Sequence, residues 1–196
     1  MTQQQEEYLE DYLKQYSHSS QEELDYIRPH LSFQELKKGE FYLQRGETQT
    51  QMGFVSFGLL RRYYVNEKAN EITTGFVKEN EFVTDYPAFI RQIPSNQNLQ
   101  CLEPTLIINL PYSIIQECYD KFKNSERNGR LIAEKVLTIL SDRVEGFLFN
   151  TAEERYLQFL KDHPDLMNRV SLTHLSSFLG IERQSLSRIR KNLTQR

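Results

Sequence analysis

Seven residues close to the C-terminus, Arg183, Gln184, Ser185, Ser187, Arg188, Arg190 and Lys191, are of the types that recognise duplex DNA. An arginine fork can pair with guanine O6 and N7, and a glutamine amide with adenine N6 and N7. Each good bidentate pair supplies about 1–3 kcal/mol of discrimination. Serine hydroxyls and basic side chains hold phosphates. The charge around them is one-sided. From Leu166 onward there are six arginines and lysines against a single acid, Glu182. A helix that is merely solvated mixes both signs. Residues 1–150 carry 16 Lys+Arg and 22 Asp+Glu, whereas residues 151–196 carry 8 and 5. The C-terminal end is therefore the part suited to a polyanion.

Such side chains need a scaffold, and the stretch "SLTHLSSFLGIERQSLSRIRK" provides one. Ser171 is a good N-cap, and Val170 with Leu175 is placed as a hydrophobic staple. Leu172, Leu175, Phe178 and Leu179 make one apolar face. Gly180 ends the helix where a left-handed residue is wanted. Ile181 sits in the corner, and Leu186, Ile189 and Leu193 form the inner face of a second helix. Ser176 is the small residue needed where two helices cross closely. This is the logic of a helix-turn-helix. Ser171 and Thr173, at the start of the first helix, join the candidate DNA contacts. A plain helical hairpin with solvated charge is the competing reading.

Upstream, "RLIAEKVLTILSDRVEGFLF" reads as a long helix. Ala133, Leu137, Leu140, Val144 and Phe147 are spaced 4, 3, 4, 3, an a/d seam of about two heptads. Ile132, Val136 and Ile139 add a second apolar row. The helix packs either on its own domain or, by the width of this face, on a second copy of the chain. The polar "NTAEER" suits a hinge.

Residues 31 to about 110 change period. Short β-branched and aromatic runs alternate with turn signals, and five of the eight glycines lie here. Many short strands with frequent turns predict an antiparallel barrel or sandwich. Before it, Tyr8, Leu9, Tyr12, Leu13 and Tyr16 mark a helix, and Ser20 with Glu23 resembles a capping box opening another.

Composition excludes several classes. Cys101 and Cys118 are the only cysteines and lack metal-ligand spacing, so no iron–sulfur cluster or disulfide framework is expected. The acidic N-terminus is no signal peptide, and the most apolar run is shorter than the roughly 20 residues a bilayer needs. A soluble, cytoplasmic protein without membrane contact is expected. No histidine lies between His30 and His163, so the β region cannot build a histidine metal site. Neither a Ser-His-Asp arrangement nor a phosphate-cradling glycine loop is visible. No cofactor and no enzymatic activity are expected.

Taken together, "KKGEFYLQRGE", "FGLLRRYY", "AEERYLQFL" and "LGIERQSLSRIRK" resemble the Crp/Fnr superfamily of bacterial transcription regulators over nearly the whole chain. The resemblance implies an α+β fold: an antiparallel β-roll with flanking helices in a sensor domain (1–123), a dimerisation helix and hinge (124–150), and a winged-helix-like helix-turn-helix domain (151–196). It places Arg183, Gln184 and Arg188 at the main base-reading positions. It also implies a homodimer on a near-palindromic operator, with RNA polymerase as a further candidate partner. Residues 164–171, "PDLMNRVS", are the candidates for part of a wing.

Family members that bind cyclic nucleotides hold the ribose with Gly-Glu and the phosphate with Arg-Ser or Arg-Thr. Here Thr84 and Asp85 stand at the first position, and Ser95 and Asn96 near the second. Arg91 comes four residues early. Thr84, Asp85, Tyr86, Arg91, Ser95 and Asn96 are therefore the candidate effector pocket, either for an unidentified small molecule other than cyclic AMP or for no ligand at all. The alternative is a cupin-like, small-molecule-binding β-barrel protein whose helix-turn-helix does not bind DNA.

Overall fold

A computed structural model describes residues 3–14 and 19–194. The chain divides into two compact units, one of residues 1–62 and 76–133, the other of residues 63–75 and 134–196.

In the first unit, helix α1 (Gln3–Lys14) is followed by α2 (Gln21–Ile27). Leu9, Tyr12 and Leu13 are buried against Phe54 and Ile108, as their helical spacing predicts; Tyr16 lies outside the described residues. The expected capping box of α2 is only half formed. Ser20 Oγ accepts from the Glu23 amide at 3.2 Å. The Glu23 carboxylate does not return to the cap; it is fully buried and accepts from the Ser125 hydroxyl.

Eight strands follow: β1 (Ser32–Leu36), β2 (Phe41–Leu43), β3 (Gln51–Phe57), β4 (Leu60–Val65), β5 (Glu71–Val77), β6 (Phe82–Val83), β7 (Gln97–Cys101) and β8 (Thr105–Pro111), with helix α3 (Tyr86–Arg91) after β6. They form two four-stranded sheets, ordered β1-β8-β3-β6 and β2-β7-β4-β5. β1 and β3 both run antiparallel to β8. Successive strand side chains point to opposite faces. In β3 both faces are covered: Val55 enters the core with Leu43, Leu60, Val77, Val83, Leu99, Cys101 and Ile107, and Phe54 packs under α1. A fully buried side chain of this size contributes about 1.5–3 kcal/mol. Gly58 allows the β3–β4 turn. Its φ is +106°, and a Cβ would come within 2.6 Å of the Pro104 carbonyl oxygen.

Helix α4 (Tyr112–Lys121) leads into α5 (Lys123–Phe149). Ile114, Ile115 and Cys118 of α4 pack with Ile27, Phe89 and Leu110. No helix of the described residues is long and apolar enough to cross a membrane.

The second unit comprises residues 134–149 of α5, then α6 (Ala152–Asp162), α7 (Leu172–Leu179) and α8 (Arg183–Thr194), together with residues 63–75. Thr151 caps α6 in a complete capping box with Glu154. The reading of residues 164–171 as part of a wing is corrected by the structure. Pro164–Leu166 is a 3-10 turn, and the Arg169 and Val170 amides both donate to Leu166 O at 3.0 Å. Those local bonds use the donors that a strand would offer a neighbour. Among the described residues no strand follows Pro111.

Candidate nucleic-acid interface

Two helices and a tight turn carry the cationic side chains. Ser171 caps α7, its Oγ accepting from the His174 amide at 3.1 Å. Val170 and Leu175 are both buried, as a staple requires. At the far end Gly180 adopts φ 66° and ψ 38°, and the Ile181 amide reaches back to Ser176 O at 3.0 Å. This closure satisfies α7 carbonyls that would otherwise lack donors. Within this unit Leu175, Ser176, Leu179 and Leu186 are buried, beside Tyr156, Phe159 and Leu166; Leu186 is completely inaccessible. Ser176 is the small residue the crossing needs.

With Leu186 inward, the opposite side of α8 faces out. Arg183, Gln184, Ser187, Arg188 and Lys191 are exposed, and Ser185 and Arg190 are half-buried. The Ser187 hydroxyl donates to Arg183 O at 3.0 Å. The side chains of Arg183, Arg188 and Lys191 enter no ion pair among the described residues. A shallow open recess lies at the start of the helix, lined by Glu182, Arg183, Gln184 and Ser187. Ser171 and Thr173 are exposed at the start of α7. Arg183 and Arg188 thus offer forked donors, and Lys191 a point charge, that no carboxylate among the described residues neutralises.

On α5 the middle of the seam is left bare. Leu137 is 68% exposed, Val144 57% and Leu140 47%; Ala133 is half-buried. Ile139 is also exposed. Phe147, the last seam position, has company from its own chain, because its ring edge lies where a Cβ on Gly180 would approach to 2.7 Å.

The candidate effector residues divide. Thr84, Asp85 and Ser95 are buried, Tyr86 is half-buried, and Arg91 and Asn96 are exposed. Asp85 Oδ2 accepts from Ser95 Oγ at 2.6 Å. Gln49 Oε1 accepts from Thr84 Oγ1 at 3.0 Å and from the Asp85 amide at 3.1 Å, while Gln49 Nε2 donates to Gln51 O at 2.7 Å. Arg91 Nε donates to Pro87 O of its own helix at 2.8 Å. A cyclic phosphate needs a cation and free amides. Here Asp85 is a buried carboxylate, the Thr84 and Ser95 hydroxyls and the Asp85 amide are already committed, and the cation of the set, Arg91, lies exposed on its own helix.

Sequence reasoning missed Gln49, a lone glutamine with no local signal. It also missed residues 71–73, where the Thr73 amide donates to Ser177 Oγ at 2.9 Å and that hydroxyl donates to Glu71 O at 3.1 Å. Cys101 and Cys118 are both buried, and burial pushes the Cys118 thiol up to about 11.

Residues 33–122 match the family described as the cyclic nucleotide-binding domain. Among solved structures the chain is similar to FixK2 from Bradyrhizobium japonicum, with a TM-score of 0.74 and 15% identity over 84% of this chain and 85% of that one. It is similar to the c-di-GMP responsive global regulator CLP of Xanthomonas campestris, with a TM-score of 0.70 and 16% identity over 90% and 92%. A third similar structure is a transcriptional regulator assigned to the Crp/Fnr family from Eubacterium rectale, with a TM-score of 0.72 and 15% identity over 91% and 85%. No curated protein matches the chain by sequence. At these identities the likeness establishes the fold, a β-roll followed by a long helix and a helical C-terminal region.

Proposed function

We propose that this chain, which has the fold of the Crp/Fnr regulators, is a homodimeric, sequence-specific DNA-binding regulator of transcription and not an enzyme. In this reading residues 1–123 are the sensor domain, 124–150 the dimerisation helix and hinge, and 151–196 the DNA-binding domain. It works in the cytoplasm, with RNA polymerase as a further partner. The observation that carries it is the outward face of α8, on which Arg183, Arg188 and Lys191 enter no ion pair among the described residues, held by the buried Leu186.

Arg183, Gln184 and Arg188 read base edges from the major groove. Ser171, Thr173, Ser185, Ser187, Arg190 and Lys191 hold phosphates and fix the register. The bare part of the α5 seam, Leu137, Leu140 and Val144, is covered by the same residues of a second copy, since a two-fold interface pairs a surface with itself. Two recognition helices then enter successive major grooves about 34 Å apart on a near-palindromic site. In this reading the roll does not answer to cyclic AMP: Asp85, at the ribose position of the resemblance, and Ser95, near its phosphate position, bond to each other at 2.6 Å.

The test is filter binding of the full chain to mixed genomic fragments at two salt concentrations, with light scattering for the oligomeric state. Selective retention of a few fragments, weakening steeply with salt, is expected from counterion release. No retention, or retention that ignores both sequence and salt, overturns the reading.

A further inference from the structure

Two arginines from outside α7 and α8 converge on the turn between those helices, all within the second unit. Arg143, on α5, donates from Nη2 to Phe178 O at 3.1 Å, and its guanidinium lies 4.1 Å from the centre of the Phe178 ring. Arg155, on α6, donates from Nε to Leu179 O at 3.0 Å and from Nη1 to Asn150 O at 2.7 Å. Phe147 stands with both: Arg143 is 5.3 Å and Arg155 5.2 Å from its ring centre. The same ring edge occupies the space a side chain at 180 would need.

The chemistry of these contacts is specific. Phe178 and Leu179 are the last two residues of α7. Their carbonyls belong to the group a helix leaves without donors, at the negative end of its dipole. A guanidinium supplies charge-assisted donors there and a flat cation for an aromatic face. Only Asn150 and Thr151 separate α5 from α6, and a few such residues suffice to absorb a hinge rotation. Arg155 spans that hinge. One of its nitrogens holds Asn150 and another holds the end of α7.

We infer that Arg143, Phe147 and Arg155 form a clasp that fixes α8 relative to the apolar seam of α5, and so sets the half-site spacing a dimer accepts. The inference rests on the DNA-binding reading above. The three are positioning residues, since none lies on the outward face of α8. Lysine at 155 keeps the charge but loses the rigid fork that reaches two carbonyls at once.

The experiment uses the full-length chain and duplexes carrying two copies of its selected half-site. The centre-to-centre separation is varied in single base pairs around the roughly 10 expected for one helical turn, with a single half-site as reference. The wild-type protein should prefer one separation. Arg155→Lys and Arg155→Ala should each flatten that preference by about tenfold while single half-site affinity stays within about twofold. Two results overturn the clasp: variants that keep the wild-type preference, or variants that lose single and paired sites in equal proportion, as a purely structural residue would. If the wild-type chain binds no duplex at any separation, the DNA-binding reading fails and the inference falls with it. That failure appears in the wild-type arm alone. Should Arg155→Ala not fold, Arg155→Lys carries the comparison.

Discussion

Residues 84–96 of the roll and residues 183–191 of the last helix both collect side chains suited to a charged ligand, and they end in opposite states. In the roll Thr84, Asp85 and Ser95 are buried, although Arg91 and Asn96 stay exposed. Asp85, Ser95, Thr84 and Gln49 answer one another at 2.6 to 3.1 Å. On α8 the charged ends of Arg183, Arg188 and Lys191 point outward and meet no carboxylate among the described residues. The difference follows from what water permits. A buried polar group without a partner costs about 1–3 kcal/mol, so an interior cluster evolves toward mutual satisfaction. An exposed guanidinium is already solvated and can exchange water for a phosphate or a base edge at little cost. The same residue types can close a site or leave it open, and depth decides which.

The contrast can be broken most severely at Leu186, the pivot that turns the cations outward. Leu186→Asp places a carboxylate at a fully buried position and should remove on the order of 4 kcal/mol. The second unit should then lose its cooperative thermal transition while the roll keeps its own. Calorimetry that finds both transitions in place would show that α8 is not anchored there.

Next in size is Arg188→Ala. It should cost about 1–3 kcal/mol of discrimination between cognate and unrelated duplex, with the thermal midpoint unchanged. Competition binding checks this, and equal selection of sites by the variant would contradict an open reading face.

Asp85→Ala should have the reverse signature. Ser95 Oγ loses its 2.6 Å acceptor but still reaches Gln97 O at 3.3 Å, so the loss of stability should be about 1 kcal/mol, with DNA affinity preserved. A denaturation curve measures it. Tight binding of cyclic AMP by either protein would show that the cluster opens.

The smallest effect concerns Cys118, a buried group of the roll-bearing unit. Burial raises its thiol to about 11 from an ordinary 9. Between those values the unfolded chain has released the proton and the fold has kept it, so stability falls as pH rises from 9 to 11 and is intact below 9. Alkylation at pH 8 should be slow in the folded protein and fast in denaturant. Rapid alkylation of the native chain would contradict that burial.

Much of this was legible locally. Helix caps, the glycine corner and the apolar stripes obey rules that reach three or four residues, so Ser171, Gly180 and Leu186 lie where their spacing requires. Ser20 and Glu23 mark the limit of that logic. The signature was present, yet the Glu23 carboxylate turned to Ser125, 102 residues away, because burial favoured that partner. Residues 164–171 failed likewise, as Pro164 and nearby amides closed a turn before any strand partner could be met.

By itself the sequence determined the succession of helices and strands, the turn between the last two helices, and which side of α8 would be cationic. Each of these follows from periodicity and from backbone preferences acting within one turn of chain. Only the tertiary structure decided that Asp85 would be answered by Ser95 through a cluster centred on Gln49, and that Arg143 and Arg155 would seize the end of α7. A hydrogen bond has an optimal distance and direction but no memory of sequence separation, so these partners are chosen when distant segments are brought together.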